Sequence, residues 1–440
     1  MQLYFFPVFA MLEALFLIYL TRGMHIGFKF LFNMLAIYWI ISFFLRPVFY
    51  LLTNSRDLTS FINDSRLRQN PGGFGVIMSL VIIGNAIFCA VLLMYSKRPK
   101  KYQVFGHESS PISSSETLSA LKFGLIIGIV SLFLENTQFQ NPFSKSLFPL
   151  IYVTFCSYIW MRPDLTVSKP FDFGMFIAGT SGTLFISIVD NNSKGVILMP
   201  VLIFIIRVLS KKMDIRRRNF VLLIIPLAFI AIPIFNRLQE NKLGSIALKL
   251  ANLNSEKLPG FMSPFLPLLQ RFDQFARVGD AYFANQHTLG SFFSWWKFII
   301  QSLQWNPSSG RSELSFGQIW NQQVSNQSIY GSRFSNVSLA QGPIAEGYVW
   351  NGVTSMLIEC AIVALIFVVV GRFLAGSVYG VMFAFGVIGN GRLFENGTVA
   401  LAAGISSALK FVLFILIFSK LLLPRDLRSQ RFKSSQRSSD

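Results

Sequence analysis

The sequence predicts an all-α integral membrane protein of about eleven transmembrane helices, with one large extracytoplasmic loop carrying short or interfacial helices. Three observations lead there. Hydrophobic residues make up 52% of the 440 and charged residues only 13%, about half the charged share that a water-soluble surface carries, so lipid is the solvent for most of the chain. Apolar runs recur at lengths near the roughly 20 residues that cross a bilayer core. Finally, a polar stretch over residues 236–350 interrupts them, far longer than an ordinary connection.

The runs fall at 3–20, 26–50, 75–95, 119–135, 146–160, 173–190, 195–209, 219–235, 351–371, 375–389 and 398–423. Backbone in lipid must satisfy its own hydrogen bonds, so each is expected to be helical. Those at 146–160, 195–209 and 375–389 are short for a span. Orientation follows from Lys and Arg, because basic loops are retained in the cytoplasm. Lys97, Arg98, Lys100 and Lys101 follow the third run; Arg207, Lys211, Lys212, Arg216, Arg217 and Arg218 precede the eighth; Arg425, Arg428, Arg431, Lys433 and Arg437 fill the tail. An odd number of spans puts all three on one side, with the N-terminus outside and the C-terminus cytoplasmic. The opening run has neither a basic n-region nor a small-residue cleavage site and reads as a retained span. The expected organisation is an N-terminal bundle of about eight spans over 1–235, a large periplasmic loop over 236–350, C-terminal transmembrane helices over 351–423, and a disordered basic cytoplasmic tail over 424–440.

A formal charge of +19 raises nucleic acid as a partner, but the basic residues sit between apolar runs and read as topology signals, so no nucleic acid is expected. Cys89, Cys156 and Cys360 all lie within apolar runs without CxxC or metal spacing, which predicts neither a disulfide nor a zinc site. No cofactor and no metal are expected.

Between Arg237 and Glu346 the loop holds nine basic residues against six acidic ones. Arginine there is suited to an anionic headgroup, because its planar fork grips phosphate through two hydrogen bonds. The segment SFFSWWKFIIQSLQW, Ser291 to Trp305, is too short to span. It reads as a helix in the outer leaflet or as one packed on the bundle like a lid. The next stretch, up to Gly352, is rich in Asn, Gln, Ser, Gly and aromatic residues, side chains that hydrogen-bond hydroxyls and stack on sugar rings. Two charges lie deep in the C-terminal runs, Glu359 and Lys410. An unpaired ion in lipid is costly, so the two are expected to pair.

Five patches, FFLRPVFYLL, SKKMDIRRRN, LLQRFDQFARVGDAYF, AQGPIAEGYVWNGV and GNGRLFENG, together with the order of spans and loop, resemble the Wzy-type O-antigen and oligosaccharide repeat-unit polymerases. The resemblance implies a GT-C-like fold and an enzyme on the outer side of the bacterial inner membrane. It would move a growing glycan from one undecaprenyl diphosphate carrier onto a repeat unit held by another, with a chain-length regulator and a flippase as further partners. It implies that Arg237, Arg271, Arg277, Arg311, Arg333 and Arg392 bind the lipid diphosphates. Arg271, Arg277, Arg311 and Arg392 flank the membrane on the same expected side, and because two phosphates need more than one bidentate partner these four are expected to converge on one outward cavity. An acceptor hydroxyl must lose a proton as it attacks the anomeric carbon. Glu346 is the first candidate to receive it, and Asp280 and His287 are the alternatives. No Asp-x-Asp or histidine cluster argues for a metal. The competing expectations are an O-antigen-ligase-like transferase, a lipid-linked oligosaccharide flippase or transporter, and a non-enzymatic assembly subunit.

Overall fold

In the computed structural model the described residues are 4–52, 72–96, 115–135, 149–161, 170–189, 274–284, 292–303, 342–391 and 397–422, with positions 147, 199–200, 203, 319–320 and 393. The elements are α1 (Phe5–Leu20), α2 (Ile26–Trp39), a π-helical turn (Ile40–Leu45), α3 (Arg46–Leu52), α4 (Gly73–Ser96), α5 (Ser115–Glu135), α6 (Leu150–Met161), α7 (Pro170–Val189), α8 (Gln274–Phe283), α9 (Phe292–Leu303), α10 (Gly342–Phe373), α11 (Val378–Gly391) and α12 (Thr398–Leu422). No strand occurs among the described residues.

Five stretches, Ile26–Val48, Gly73–Tyr95, Thr117–Leu134, Gly342–Phe373 and Thr398–Ser419, are long and apolar enough to cross a membrane. Phe5–Leu20, Leu150–Met161 and Val378–Gly389 are shorter apolar helices. The expected spans at 195–209 and 219–235 lie almost entirely outside the described residues. The helices also face the way lipid requires. On α1 the large side chains Phe5, Phe9, Leu12, Phe16 and Tyr19 point outward, while Ala10, Ala14 and Leu17 are buried. Without a hydrophobic drive between helices in lipid, small residues at the interface let backbones approach and the large ones are left to the acyl chains.

The chain divides into two compact units. In the one holding α5, α6, α7, α11 and the later part of α12, every residue of α6 is buried. Gly128 on α5 brings that helix against the backbone nitrogen of Ile151, and Gly182 on α7 faces the Ile151 side chain. A helix of 12 residues spans only about 18 Å, which is tolerable where protein rather than lipid surrounds it.

The other unit holds α1–α4, α8–α10 and the start of α12. Its centre is aromatic: Trp39 and Phe88 meet edge to face at 5.6 Å, and Phe88 meets Phe367 of α10 at 5.9 Å. At the end of α10 the guanidinium of Arg372 lies over the Tyr95 ring and donates to its hydroxyl at 3.1 Å.

α10 is two helices. Asn351 (φ −161°, ψ 41°) and Gly352 (φ 65°, ψ −147°) leave helical geometry, and the arm 342–350 folds back along the arm 353–373. Gly347 abuts the backbone of Met356, and Ile344 and Cys360 both meet Gly84 of α4. Two further helices repeat this half-length packing. α8 runs antiparallel to α4, with Phe283 at Gly73 and Gly279 at Ile77, so its first residue, Gln274, sits well down that span. α9 runs parallel to α12 over eight residues, from Trp295 at Thr398 to Leu303 at Ser406. α9 is thus the helix packed on the bundle, the second of its two expected placements. α8 and α9 each cover the half of a span that lies away from its Lys/Arg-rich flank, at 97–101 for α4 and 425–437 for α12.

Candidate functional site

Where the half-length helices meet the bundle, a narrow cleft opens. Tyr38 and Trp39 of α2, Asn85 and Phe88 of α4, Gln274 of α8 and Gly342 of α10 are among its walls, and no charged side chain lines it. The free volume is about 20 Å³, room for one water or one hydroxyl group. Gly342 is required here for two reasons. Its φ is +70°, and a side chain on it would run into Oε1 of Gln274, so glycine is what lets the Gln274 amide stand at the cleft. Asn85 is fully buried, and neither Nδ2 nor Oδ1 has a hydrogen-bond partner. An unmade hydrogen bond on a buried group costs about 1–3 kcal/mol, a cost that leucine in the same space would avoid.

Beside the cleft, on α8, Arg277 and Asp280 are both buried, and Nη1 of Arg277 donates to Oδ2 of Asp280 at 3.2 Å. Two sequence candidates, one read as a phosphate ligand and one as a base, are therefore each other's partner. Spaced three apart on a helix, they lie on one face, and each reduces the cost of burying the other.

Glu346, the first candidate for proton acceptor, is buried with Glu359 from the facing arm of α10. Together they hold the first turn of α12. Oε1 of Glu346 accepts from Thr398 Oγ1 and from the Val399 amide, both at 3.1 Å, and Oε1 of Glu359 accepts from the Thr398 amide at 2.9 Å. Trp295 of α9 donates to the same Thr398 hydroxyl at 3.1 Å, completing a relay from α9 through α12 to α10. The first amides of a helix lack partners within it, and its dipole favours negative charge at that end. Gly397 lets the turn sit directly on the two carboxyls, because any side chain there would meet both. The two Oε2 atoms have no hydrogen-bond partner.

The expected pairing of Glu359 with Lys410 is corrected by this arrangement. Glu359 takes its partner at Thr398, twelve residues and about 18 Å of helix before Lys410. The backbone amide at the start of α12 meets its carboxyl instead.

His287, Arg237, Arg271, Arg311, Arg333 and Arg392 lie outside the described residues. Asn85, Gln274 and Glu359 enter the site without having been assigned a role in it from sequence. Asn85 did carry a signal: it is the only carboxamide in its apolar run, and a polar side chain at that depth in a membrane helix marks a functional position by default.

Family models, characterised proteins and solved structures give no match to this chain.

Proposed function

We propose that the protein is a metal-independent glycosyltransferase of the bacterial inner membrane, which lengthens a polysaccharide by joining undecaprenyl-diphosphate-linked repeat units. The observation that carries the proposal is the enclosure, within an apolar bundle, of a cleft walled by aromatic rings and two carboxamides, with a buried arginine–carboxylate pair on the adjoining helix. Aromatic faces and amides are the groups that bind neutral sugars, and arginine is the group that takes up charge on a departing diphosphate. In the reaction the acceptor hydroxyl forms a bond to the anomeric carbon, the bond from that carbon to the diphosphate oxygen breaks, and the hydroxyl proton passes to a base.

The test is chain lengthening by purified protein in liposomes supplied with undecaprenyl-diphosphate-linked repeat units. Arg277→Ala alone would strand Asp280 as a buried charge and confuse folding with activity. Arg277→Gln with Asp280→Asn removes both charges together. Lengthening is expected to fall by at least about 100-fold in the double variant, as for loss of a group that stabilises developing charge, with a melting temperature near that of the wild type. Lengthening that survives in the double variant removes Arg277 from the mechanism, and a wild type that transfers the glycan only to a core acceptor indicates a ligase.

A second reading, transport of the lipid-linked glycan, is favoured by one feature. α10 is broken at Asn351–Gly352, and its two arms bring buried carboxyls to the start of another helix, the kind of discontinuity on which transporters build their sites. Passage of a labelled lipid-linked repeat unit between leaflets without lengthening would decide for it.

A further inference from the structure

The cleft is selective in what it can hold. Asn85 presents a donor and an acceptor to it, both buried and both without a partner. The carboxyl of Glu13 on α1, which does not line the cleft, lies close enough to Asn85 to interact with its amide and is the nearest competitor for it, but neither amide atom is within hydrogen-bond geometry of any partner. The rest of the wall is aromatic and aliphatic apart from Tyr38 and Gln274, and it carries no charge. A phosphate would enter without a counter-ion, which desolvation forbids. An isoprenoid chain would leave the amide as it is. A hydroxyl donates and accepts at once, which matches a carboxamide, and the free volume of about 20 Å³ admits one such group.

We propose that the floor of the cleft is a subsite for a single hydroxyl-bearing arm of a neutral sugar, read by both amide atoms of Asn85, with Gln274 as the second amide beside it. This rests on the glycan reading and adds to it a division of labour. The sugar is recognised in the uncharged cleft, and the diphosphate is held outside it. The competing occupant is a structural water, which needs the same volume.

The probes are methyl α-glucoside, methyl α-galactoside, methyl α-mannoside and methyl α-rhamnoside, titrated onto the full-length protein in nanodiscs and followed by saturation-transfer NMR. A ligand of this size in a matched site binds with a Kd on the order of 1 mM. At least one glycoside is expected to saturate in that range, with binding at least about tenfold weaker in Asn85→Leu, the loss of roughly one good hydrogen bond. Asn85→Ala, which enlarges the space and removes the amide, serves where the leucine variant does not fold, and must also lose binding. Inorganic pyrophosphate should not displace the glycoside.

Three results would overturn the subsite: no saturable glycoside in the wild type, equal binding in the variants that fold, or displacement by pyrophosphate. A rise in melting temperature in Asn85→Leu together with no glycoside binding assigns the space to water. Glycoside binding lost in Asn85→Leu, in a protein that never lengthens a chain, would keep the subsite and discard the polymerase.

Discussion

Gly347→Ala is expected to prevent this protein from reaching its folded state in the membrane. A Cβ at position 347 would lie 2.6 Å from the Cα of Met356 and 2.9 Å from both the Met356 nitrogen and the Ser355 carbonyl oxygen. Carbon atoms in good contact are about 3.5–4.0 Å apart, and these neighbours are backbone, so no rotamer change can make room. The two arms of α10 would have to part. Overpacking of this kind costs about 1–3 kcal/mol where side chains can adjust, and more where they cannot. Separating the arms would also draw Glu346 away from Thr398 and Val399, adding the loss of that cap. Size-exclusion profiles after heating in detergent provide the measurement. Gly23→Ala is the control, since nothing lies within 4 Å of the added carbon there. A Gly347→Ala protein as heat-stable as the control would mean that the hairpin is not packed as described.

The second large effect belongs to the carboxyl pair. Glu346→Leu strips the acceptor from the Thr398 hydroxyl and the Val399 amide and leaves both donors buried. At about 1–3 kcal/mol for each, the combined destabilisation is roughly 2–5 kcal/mol, allowing for partial relaxation. Glu346→Gln keeps one oxygen acceptor in place and should cost much less. The double variant Glu346→Gln, Glu359→Gln should be more stable than Glu346→Leu, because two amides can satisfy one another as well as the first turn of α12. Melting curves of the three variants test the order. If Glu346→Leu melts with the wild type, the pair does not hold α12, and a role in chemistry becomes the better account of its burial.

Five of the expected spans coincide with helices long and apolar enough to cross a membrane, and these were legible because a bilayer imposes both a length and a polarity. The run 75–95 is found at Gly73–Ser96, the run 398–423 at Thr398–Leu422, and the run at 351 begins where Asn351 and Gly352 break α10. The half-length helices were much less legible. A helix of 10 residues such as QFARVGDAYF falls below any window chosen to find a span, and its Arg and Asp make it look like loop. What reveals it as a packed element is the pairing of those two charges, a three-residue spacing that sequence reading had divided into two separate functions. Glu346 and Glu359 are 13 positions apart, and only the reversal at Asn351–Gly352 brings them together. Depth reasoning that treated the ninth span as entering straight from outside could not place a second carboxyl beside Glu359, and so it reached for Lys410.

The burial of α6 on every side bears on how the chain is made. A segment of about 18 Å leaving the translocon cannot bridge a hydrocarbon layer of about 30 Å by itself, and α6 has no lipid-facing residue with which to settle there. Its stability comes from α5, already synthesised, and from α7 and α11, still to come, the last covering Tyr152 with Gly389 and Trp160 with Phe385. Residues 150–161 must therefore wait, shielded within the insertion machinery or paired loosely with α5, until the glycines of α7 arrive to close over Ile151 and Phe155. Biogenesis of this region is in this sense a collective event that α7 begins and α11 completes, and not a sequence of independent insertions, and a ribosome stalled before α7 emerges would leave α6 open to the quality-control proteases of the membrane.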